Sequence, residues 1–360
     1  MRKKKVYLTL QNGRVFQGYR FGAVGNAEGE LVFSTGMVGY VETLTDPSNY
    51  GQIVVQTFPL IGNYGINRAD AESENAWVAG YVVREFSEIP SNFRSEESLA
   101  SFMEEKGVIG VYGVDTRELT RILREEGAMN ARISAKPLTD EEIKGLSAVA
   151  ISNAVKEVAP KQQSVYGKDT AKYKVALWNF GSKKSSVETM VNRGWKVVDM
   201  PYSATAEEIM CSGVDGVVVG DGPGDPKENA DAIIEIKKLL GKLPVFGVGL
   251  GHQLVALALG ADTAKQKHGH RGSNQPVKCL KCGRVYVSTQ NHGYVVLDDS
   301  VACGKVQFVN VNDGTCEGIV YDELNAFTVQ FAPESCSATG EENPLFKRFE
   351  RMMEKEKEHA

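Results

Sequence analysis

The chain of 360 residues is too long for one ordinary domain, and two domains of about 150–200 residues are expected. A hydrophobic content of 42% with 24% charged residues is typical of a globular protein that buries a sizeable core. The net charge of −5 gives no electrostatic footprint for nucleic acid, and six cysteines are too few for a disulfide scaffold.

The sequence opens with a basic run, residues 1–5, which is followed by the alternating segment 6–10. A targeting peptide would need a long apolar core and a cleavage site, and neither follows the basic residues. We therefore expect a solvated first strand in a cytoplasmic protein that has no membrane partner.

Residues 1–151 contain many short strand-like runs bounded by glycine-rich turns, which predicts a mixed α+β domain. The segment 40–48 closes in a turn, because Asp46-Pro47 favours an extended or turn backbone. Ser48 follows this turn, where a serine is usually a turn or cap residue.

The sequence becomes polar and aperiodic over residues 152–172, which we predict to be a linker. From residue 173 onward, near-continuous apolar strands alternate with helices as far as the C-terminal part of the chain. This pattern predicts a doubly wound, mostly parallel sheet covered on both faces, in a second domain spanning residues 173–360.

Two glycine-rich loops follow strands of this sheet at the ends where ligands bind. The first, residues 220–226, reads Gly-Asp-Gly-Pro-Gly-Asp-Pro. Gly222 and Gly224 are either plain turn glycines or a source of backbone N–H groups that hold an amide oxygen. Their place directly after a parallel strand favours the second interpretation.

The second loop combines a strand, a sharp turn and a helix. An apolar run ends at Phe246, glycines follow at 247, 249 and 251, and an Ala-rich segment predicts a helix to residue 261. Hydrolases place a nucleophile on such a turn, because the strained backbone presents one side chain over the helix N-terminus. The central position should carry Ser or Cys, and it carries Gly249.

The pair Cys279 and Cys282 has a spacing that can chelate zinc when a second pair or two histidines are near. No second such pair exists in the sequence, and the segment 278–283 lies between two strand-like runs and ends in glycine. A hairpin tip with incidental thiols is therefore preferred to a metal site, and no metal is expected.

Residues 247–253 resemble the nucleophile turn of class I glutamine amidotransferases, in which a cysteine stands at the position of Gly249. The runs 267–276 and 290–294 are similar to one family in particular, the small subunit of carbamoyl-phosphate synthetase. The resemblance extends over nearly the whole chain, including an N-terminal small-subunit domain that other amidotransferases lack.

The resemblance implies roles for several residues. In the family the loop of Gly222 and Gly224 supplies half of the oxyanion hole, and a His-x-Glu pair activates the thiol. Here Ala332 stands at the His position and Glu334 is retained. The positions that the resemblance assigns to glutamine binding are Ser48, Gly222, Gly224, Leu250, Gln253, Asn291, Gly293 and Tyr294. The last five come from the helix predicted after Gly249 and from the predicted loop 290–294.

Three hypotheses follow from the missing cysteine and histidine. The first is a small subunit whose glutaminase is lost, bound to a large subunit that makes carbamoyl phosphate from bicarbonate, ATP and ammonia. The second is a module that binds glutamine without hydrolysing it, and the third is an active subunit that uses another nucleophile, such as Cys211 or Cys316. No cofactor is expected in this chain, ATP and Mg²⁺ are expected on the large subunit, and no motif separates pyrimidine from arginine synthesis.

Overall fold

The computed structural model describes residues 4–336 and 343–359, so residues 1–3 of the basic start lie outside it. The chain divides into two compact units. The first comprises the residues up to Ser152 together with Lys267–Gly272, and the second comprises Asn153–Gln266 and the residues from Ser273 onward.

Unit 1 is a closed barrel of short strands with helices around it, as expected for a mixed α+β domain. The elements of unit 1 are β1 (Lys5–Leu10), β2 (Val15–Gly22), β3 (Ala27–Ser34), α1 (Tyr40–Thr45), β4 (Gln52–Gln56), β5 (Leu60–Ile61), β6 (Gly80–Val82), β7 (Glu85–Phe86), α2 (Leu99–Glu105), β8 (Ile109–Tyr112), α3 (Thr116–Glu126), β9 (Met129–Ser134) and α4 (Asp140–Gly145). The barrel order is β1-β2-β8-β6-β4-β3-β9, and side chains such as Leu8 and Ile133 are fully buried inside it.

Unit 2 is built on one large sheet. Its elements are α5 (Ala154–Val158), β10 (Ser164–Tyr166), β11 (Tyr173–Asn179), α6 (Lys184–Asn192), β12 (Trp195–Pro201), α7 (Ala206–Cys211), β13 (Gly216–Val219), α8 (Ala230–Leu239), β14 (Val245–Val248), α9 (Leu250–Ala258), β15 (Thr263–Cys279), β16 (Val285–Val296), β17 (Lys305–Asn310), β18 (Cys316–Tyr321), β19 (Ala326–Val329) and α10 (Pro344–His359). The strand order is β10-β12-β11-β13-β14-β19-β18-β17-β15-β16.

The predicted α/β fold of the second domain is confirmed. Strands β12, β11, β13, β14 and β19 pair in parallel, and their apolar residues contribute to two hydrophobic clusters. The sheet is mixed rather than mostly parallel, because β10 is added antiparallel at one edge and β18 and β17 are antiparallel on the other side.

The segment 152–172 differs from the predicted linker. It contains α5 and β10, and β10 pairs with β12 from Ser164↔Asp199 to Tyr166↔Val197. All three residues of β10 are exposed, and a strand of three residues at a sheet edge is too short to show a periodic sequence pattern.

The long strand β15 contains residues of both units. In unit 1 the Ala128 N–H donates to the Lys267 carbonyl at 2.7 Å, and the Thr35 hydroxyl donates to the Arg271 carbonyl at 3.4 Å. Residues 267–272 therefore group with unit 1, although the predicted boundary placed them in the second domain. Backbone pairing over such a sequence distance leaves no local pattern.

The hairpin predicted at residues 278–283 is confirmed. β15 ends at Cys279, the Gly283 N–H donates to the Cys279 carbonyl at 2.8 Å, and Gly283 has φ 73°. The loop predicted over residues 290–294 is wrong, because these residues lie within the strand β16. In the described residues, no helix combines the length and the apolarity needed to span a bilayer.

Candidate active site

The turn between β14 and α9 has the geometry that the sequence predicts. Gly249 is the N-cap residue of α9, with φ 58° and ψ −116°, a conformation that strains residues with a side chain. Its N–H donates to the Val329 carbonyl at 2.9 Å, which joins the turn to the end of β19. The turn therefore lies at the carboxyl end of the parallel strands, where ligands bind in such sheets.

The glycines on either side of Gly249 are required by close approach. A Cβ atom on Gly247 would lie 2.7 Å from the Thr328 methyl carbon, and one on Gly251 would lie 2.0 Å from the Val219 carbonyl oxygen. The Gly251 N–H also donates to the Gly220 carbonyl at 3.0 Å. The prediction that small residues let this turn close is confirmed.

The loop 220–226 lies directly beside the turn. A Cβ atom on Gly222 would lie 2.4 Å from the Phe180 carbonyl oxygen, and Gly224 has φ 89°. The N–H groups of Gly222 and Leu250 converge on a single atom, with N···O distances of 2.8 and 2.9 Å. Two backbone donors are therefore aimed at one oxygen position, which is the arrangement expected of an oxyanion hole.

The atom at that position is Oδ1 of Asp221, a residue that the sequence analysis did not single out. The signal was present in the sequence. A carboxylate immediately before Gly222, in a loop predicted to bind an amide oxygen, places a negative charge next to donors meant for another acceptor.

Gln253 and Tyr294 are brought together by α9 and β16. The buried Gln253 side chain donates to the Tyr294 carbonyl at 2.9 Å and to the Gln330 side chain at 2.8 Å. Asn291 and Gly293 lie in the same strand and are half-buried. The structure brings Gln253 and Tyr294 into contact, and the binding roles of all four residues remain predictions.

Ala332 and Glu334 follow β19. The Ala332 N–H donates to the Thr289 carbonyl at 3.0 Å, and Glu334 lies in a short 3-10 turn, Pro333–Cys336. Glu334, Asp221 and Ser182 are among the residues that line a cavity of about 20 Å³. This volume is room for about one water molecule.

Ser48 lies in unit 1, in a 3-10 turn over Pro47–Asn49. Its N–H donates to Oδ1 of Asp46 at 2.9 Å. Within the described residues, its own hydroxyl oxygen is shielded from solvent and has no hydrogen-bond partner. The predicted contact of Ser48 with glutamine is not tested by these interactions.

Neither alternative thiol stands on a turn like that of Gly249. Cys211 is exposed at the last residue of α7. Cys316 is buried in β18, and this burial raises the pKa of its thiol to about 12. A nucleophilic cysteine acts as the thiolate, so the environment of Cys316 opposes that role.

His252 lies on α9, one turn after Gly249, and is fully buried. Its Nδ1 lies 2.7 Å from the Thr328 hydroxyl, and within the described residues its Nε2 has no hydrogen-bond partner. Burial lowers the pKa of His252 from 6.5 to about 3. The imidazole is therefore neutral in the folded protein at neutral pH.

His252 should make unit 2 sensitive to acid. The unfolded chain binds a proton at His252 below about pH 6.5, whereas the folded chain binds it only near pH 3. The contribution of His252 to the free energy of unfolding is therefore fully present above pH 6.5 and is lost as the pH falls from 6.5 towards 3. Between pH 7 and pH 5 the loss from this group is about 2 kcal/mol. In His252→Asn, which keeps a polar partner for Thr328, urea unfolding should show a shallower pH dependence by this amount. Equal slopes in the two proteins would contradict the assignment.

Both halves of the chain match known protein families. The family model described as carbamoyl-phosphate synthase small chain, CPSase domain, matches residues 8–133, and the model for glutamine amidotransferase class-I matches residues 176–352. Among solved structures, a glutamine amidotransferase from Thermotoga maritima matches over 52% of this chain and 84% of its own, at 19% identity and a TM-score of 0.36.

Similarity to curated relatives extends over nearly the whole chain. The carbamoyl phosphate synthase small chain of Listeria monocytogenes serotype 4b (strain F2365) is 45% identical over 353 residues, which is 97% of each chain. The pyrimidine-specific small chain of Bacillus subtilis (strain 168) is 44% identical over 352 residues, 96% of this chain and 95% of that one. With both domains matched in order, the chain belongs to the family of carbamoyl phosphate synthase small chains.

Proposed function

We propose that this chain is a carbamoyl phosphate synthase small subunit that has lost its glutaminase activity and acts as the structural partner of a large subunit. The observation that supports this most directly is Gly249. It holds the strained position over the N-terminus of α9, where a hydrolase presents its nucleophile, and it has no side chain. The covalent step of amide hydrolysis has no attacking atom there.

The second support comes from the end of β19. A cysteine nucleophile needs a base to form the thiolate at neutral pH, and that base later protonates the leaving ammonia. Ala332 cannot perform either proton transfer. Glu334 could orient an imidazole, and the resemblance puts that imidazole at the position of Ala332.

The partner and its chemistry are part of the proposal. The large subunit would bind ATP and Mg²⁺, and it would make carbamoyl phosphate from bicarbonate and free ammonia. Binding of glutamine without hydrolysis is the weaker alternative, because the two N–H donors that would hold its amide oxygen already bond Asp221.

The proposal is tested by measuring carbamoyl phosphate formation after this chain has been reconstituted with its cognate large subunit. Ammonium should support the reaction, and glutamine at the same concentration should give less than about a thousandth of that rate, since removing the nucleophile or base of a hydrolase lowers kcat by roughly 10⁶-fold. The Listeria small chain, which is 45% identical, serves as a comparison protein under the same conditions. Comparable rates with glutamine would refute the loss of glutaminase activity.

A further inference from the structure

The oxyanion-hole geometry of this chain already has an occupant. Oδ1 of Asp221 accepts the Leu250 N–H at 2.9 Å and the Gly222 N–H at 2.8 Å. Leu250 is the first residue of α9, so its N–H carries part of the positive end of the helix dipole. Hydrogen bonds from such donors to a carboxylate are stronger than those to a neutral oxygen.

The same carboxylate fills the space beside Gly249. A Cβ atom built on Gly249 would lie 2.0 Å from Oδ1 of Asp221, 2.3 Å from its Cγ and 2.8 Å from its Oδ2. Contacts this short are not compatible with any side chain at position 249 while Asp221 keeps its place. The strained φ of 58° is a separate obstacle that acts on every residue with a Cβ atom.

Asp221 also supplies a cap that α9 lacks. The N-cap residue Gly249 has no side chain to accept a hydrogen bond from the first turn. The Asp221 carboxylate, delivered from the loop after β13, accepts the Leu250 N–H in its stead. The Leu250 N–H, a helix-terminal donor without an intrahelical partner, is therefore satisfied by Asp221 and not by a substrate.

We propose that Asp221 is a built-in ligand of the oxyanion hole, which takes the place of the substrate oxyanion and makes Gly249 structurally necessary. The proposal rests on the proposed function only where it names the two N–H groups as an oxyanion hole. A glutamine amide oxygen, which is neutral, would have to displace a carboxylate from a helix N-terminus and from two N–H donors. The state in which Asp221 occupies the two N–H groups is favoured over the state in which glutamine occupies them.

A double-mutant cycle on the full chain isolates the coupling between the two residues. Gly249→Ala is measured in the natural background and in Asp221→Ala, with thermal unfolding of unit 2 as the readout. The φ strain is the same in both backgrounds, so it cancels. We expect Gly249→Ala to lower Tm by at least about 4 °C less in Asp221→Ala than in the natural chain.

Two further variants serve as a control and as a second test of the coupling. Asp225 lies in the same loop, where its carboxylate accepts the Lys227 N–H at 2.9 Å, so Asp225→Ala removes an acid and a local cap without reaching Gly249. The cost of Gly249→Ala should be unchanged in that background. Asp221→Ser provides a second shortened side chain if Asp221→Ala does not fold.

Additive Tm shifts for Gly249→Ala and both shortened variants would overturn the inference that Asp221 fills the site. That result would leave the proposed function intact, because the loss of the glutaminase is tested separately by glutamine-dependent carbamoyl phosphate formation. Coupling in the Asp221 backgrounds, with none in Asp225→Ala, is the expected result.

Discussion

Gly251→Ala is expected to destabilise unit 2 by about 3 kcal/mol, even though alanine is a better helix former than glycine. The new Cβ atom would lie 2.0 Å from the Val219 carbonyl oxygen and 2.6 Å from its carbon. Those atoms belong to the backbone at the end of β13, in the centre of the parallel sheet, so they cannot rotate away. Either α9 or β13 must move.

Movement of α9 has its own cost. The Gly251 N–H donates to the Gly220 carbonyl at 3.0 Å, and the Gly249 N–H donates to the Val329 carbonyl at 2.9 Å, so displacing the helix weakens two buried contacts. For a unit of this size the change corresponds to a fall in Tm of roughly 10 °C. Differential scanning calorimetry of the full chain measures it.

Gly145→Ala is the control. Gly145 is the last residue of α4, has helical φ −61° and ψ −25°, and has open space where a Cβ atom would be added. Alanine there should be neutral or should stabilise unit 1 by up to about 1 kcal/mol. A loss of similar size at both positions would show that the destabilisation does not come from the contact with Val219.

The turn between β14 and α9 could be predicted from the sequence because its constraints are local. A short apolar run, alternate glycines and an apolar helical segment are consecutive in the chain, and the close contacts of Gly247 and Gly251 are consequences of that same turn. The parallel strands were predictable for a similar reason. Buried strands must be apolar along their whole length, and that pattern does not depend on which neighbour each strand pairs with.

The features that the sequence did not reveal depend on distant parts of the chain. β10 has only three residues, which is too short for a pattern, and its pairing with β12 makes it a strand. Residues 290–294 are buried or half-buried within β16, but they lack the apolar alternation that predicts a strand. The sequence shows a carboxylate beside Gly222, but the contact of Asp221 with the Leu250 N–H depends on the approach of two loops, so that contact has no signature in its own segment.

Introducing the cysteine and histidine that the resemblance places at positions 249 and 332 should not produce glutamine hydrolysis while Asp221 is present. In Gly249→Cys with Ala332→His, the new thiol would compete with Asp221 for the same space, since even a Cβ atom lies 2.0 Å from its Oδ1. A carboxylate beside the thiol also disfavours the thiolate. We expect ammonia release from glutamine to remain near background for this double variant.

Adding Asp221→Ala to the double variant should raise glutamine hydrolysis by at least about 10²-fold. The substitution frees the N–H groups of Leu250 and Gly222, which bond Asp221 at 2.9 and 2.8 Å, and loss of a single oxyanion-hole donor typically costs 10²–10³ in kcat. Glu334 would then orient the introduced imidazole, as the resemblance implies. Ammonia and glutamate released by the small subunit in complex with its large subunit give the readout.

Two controls separate the contributions to this rescue. Asp221→Ala alone should give no turnover, because it frees the donors without supplying a nucleophile. Asp225→Ala added to the double variant should leave it inactive, since Asp225 accepts the Lys227 N–H and not the donors beside the turn. Equal activity of the double and triple variants would mean that Asp221 leaves the site without hindrance, and the proposed loss of glutaminase activity would then depend on Gly249 and Ala332 alone.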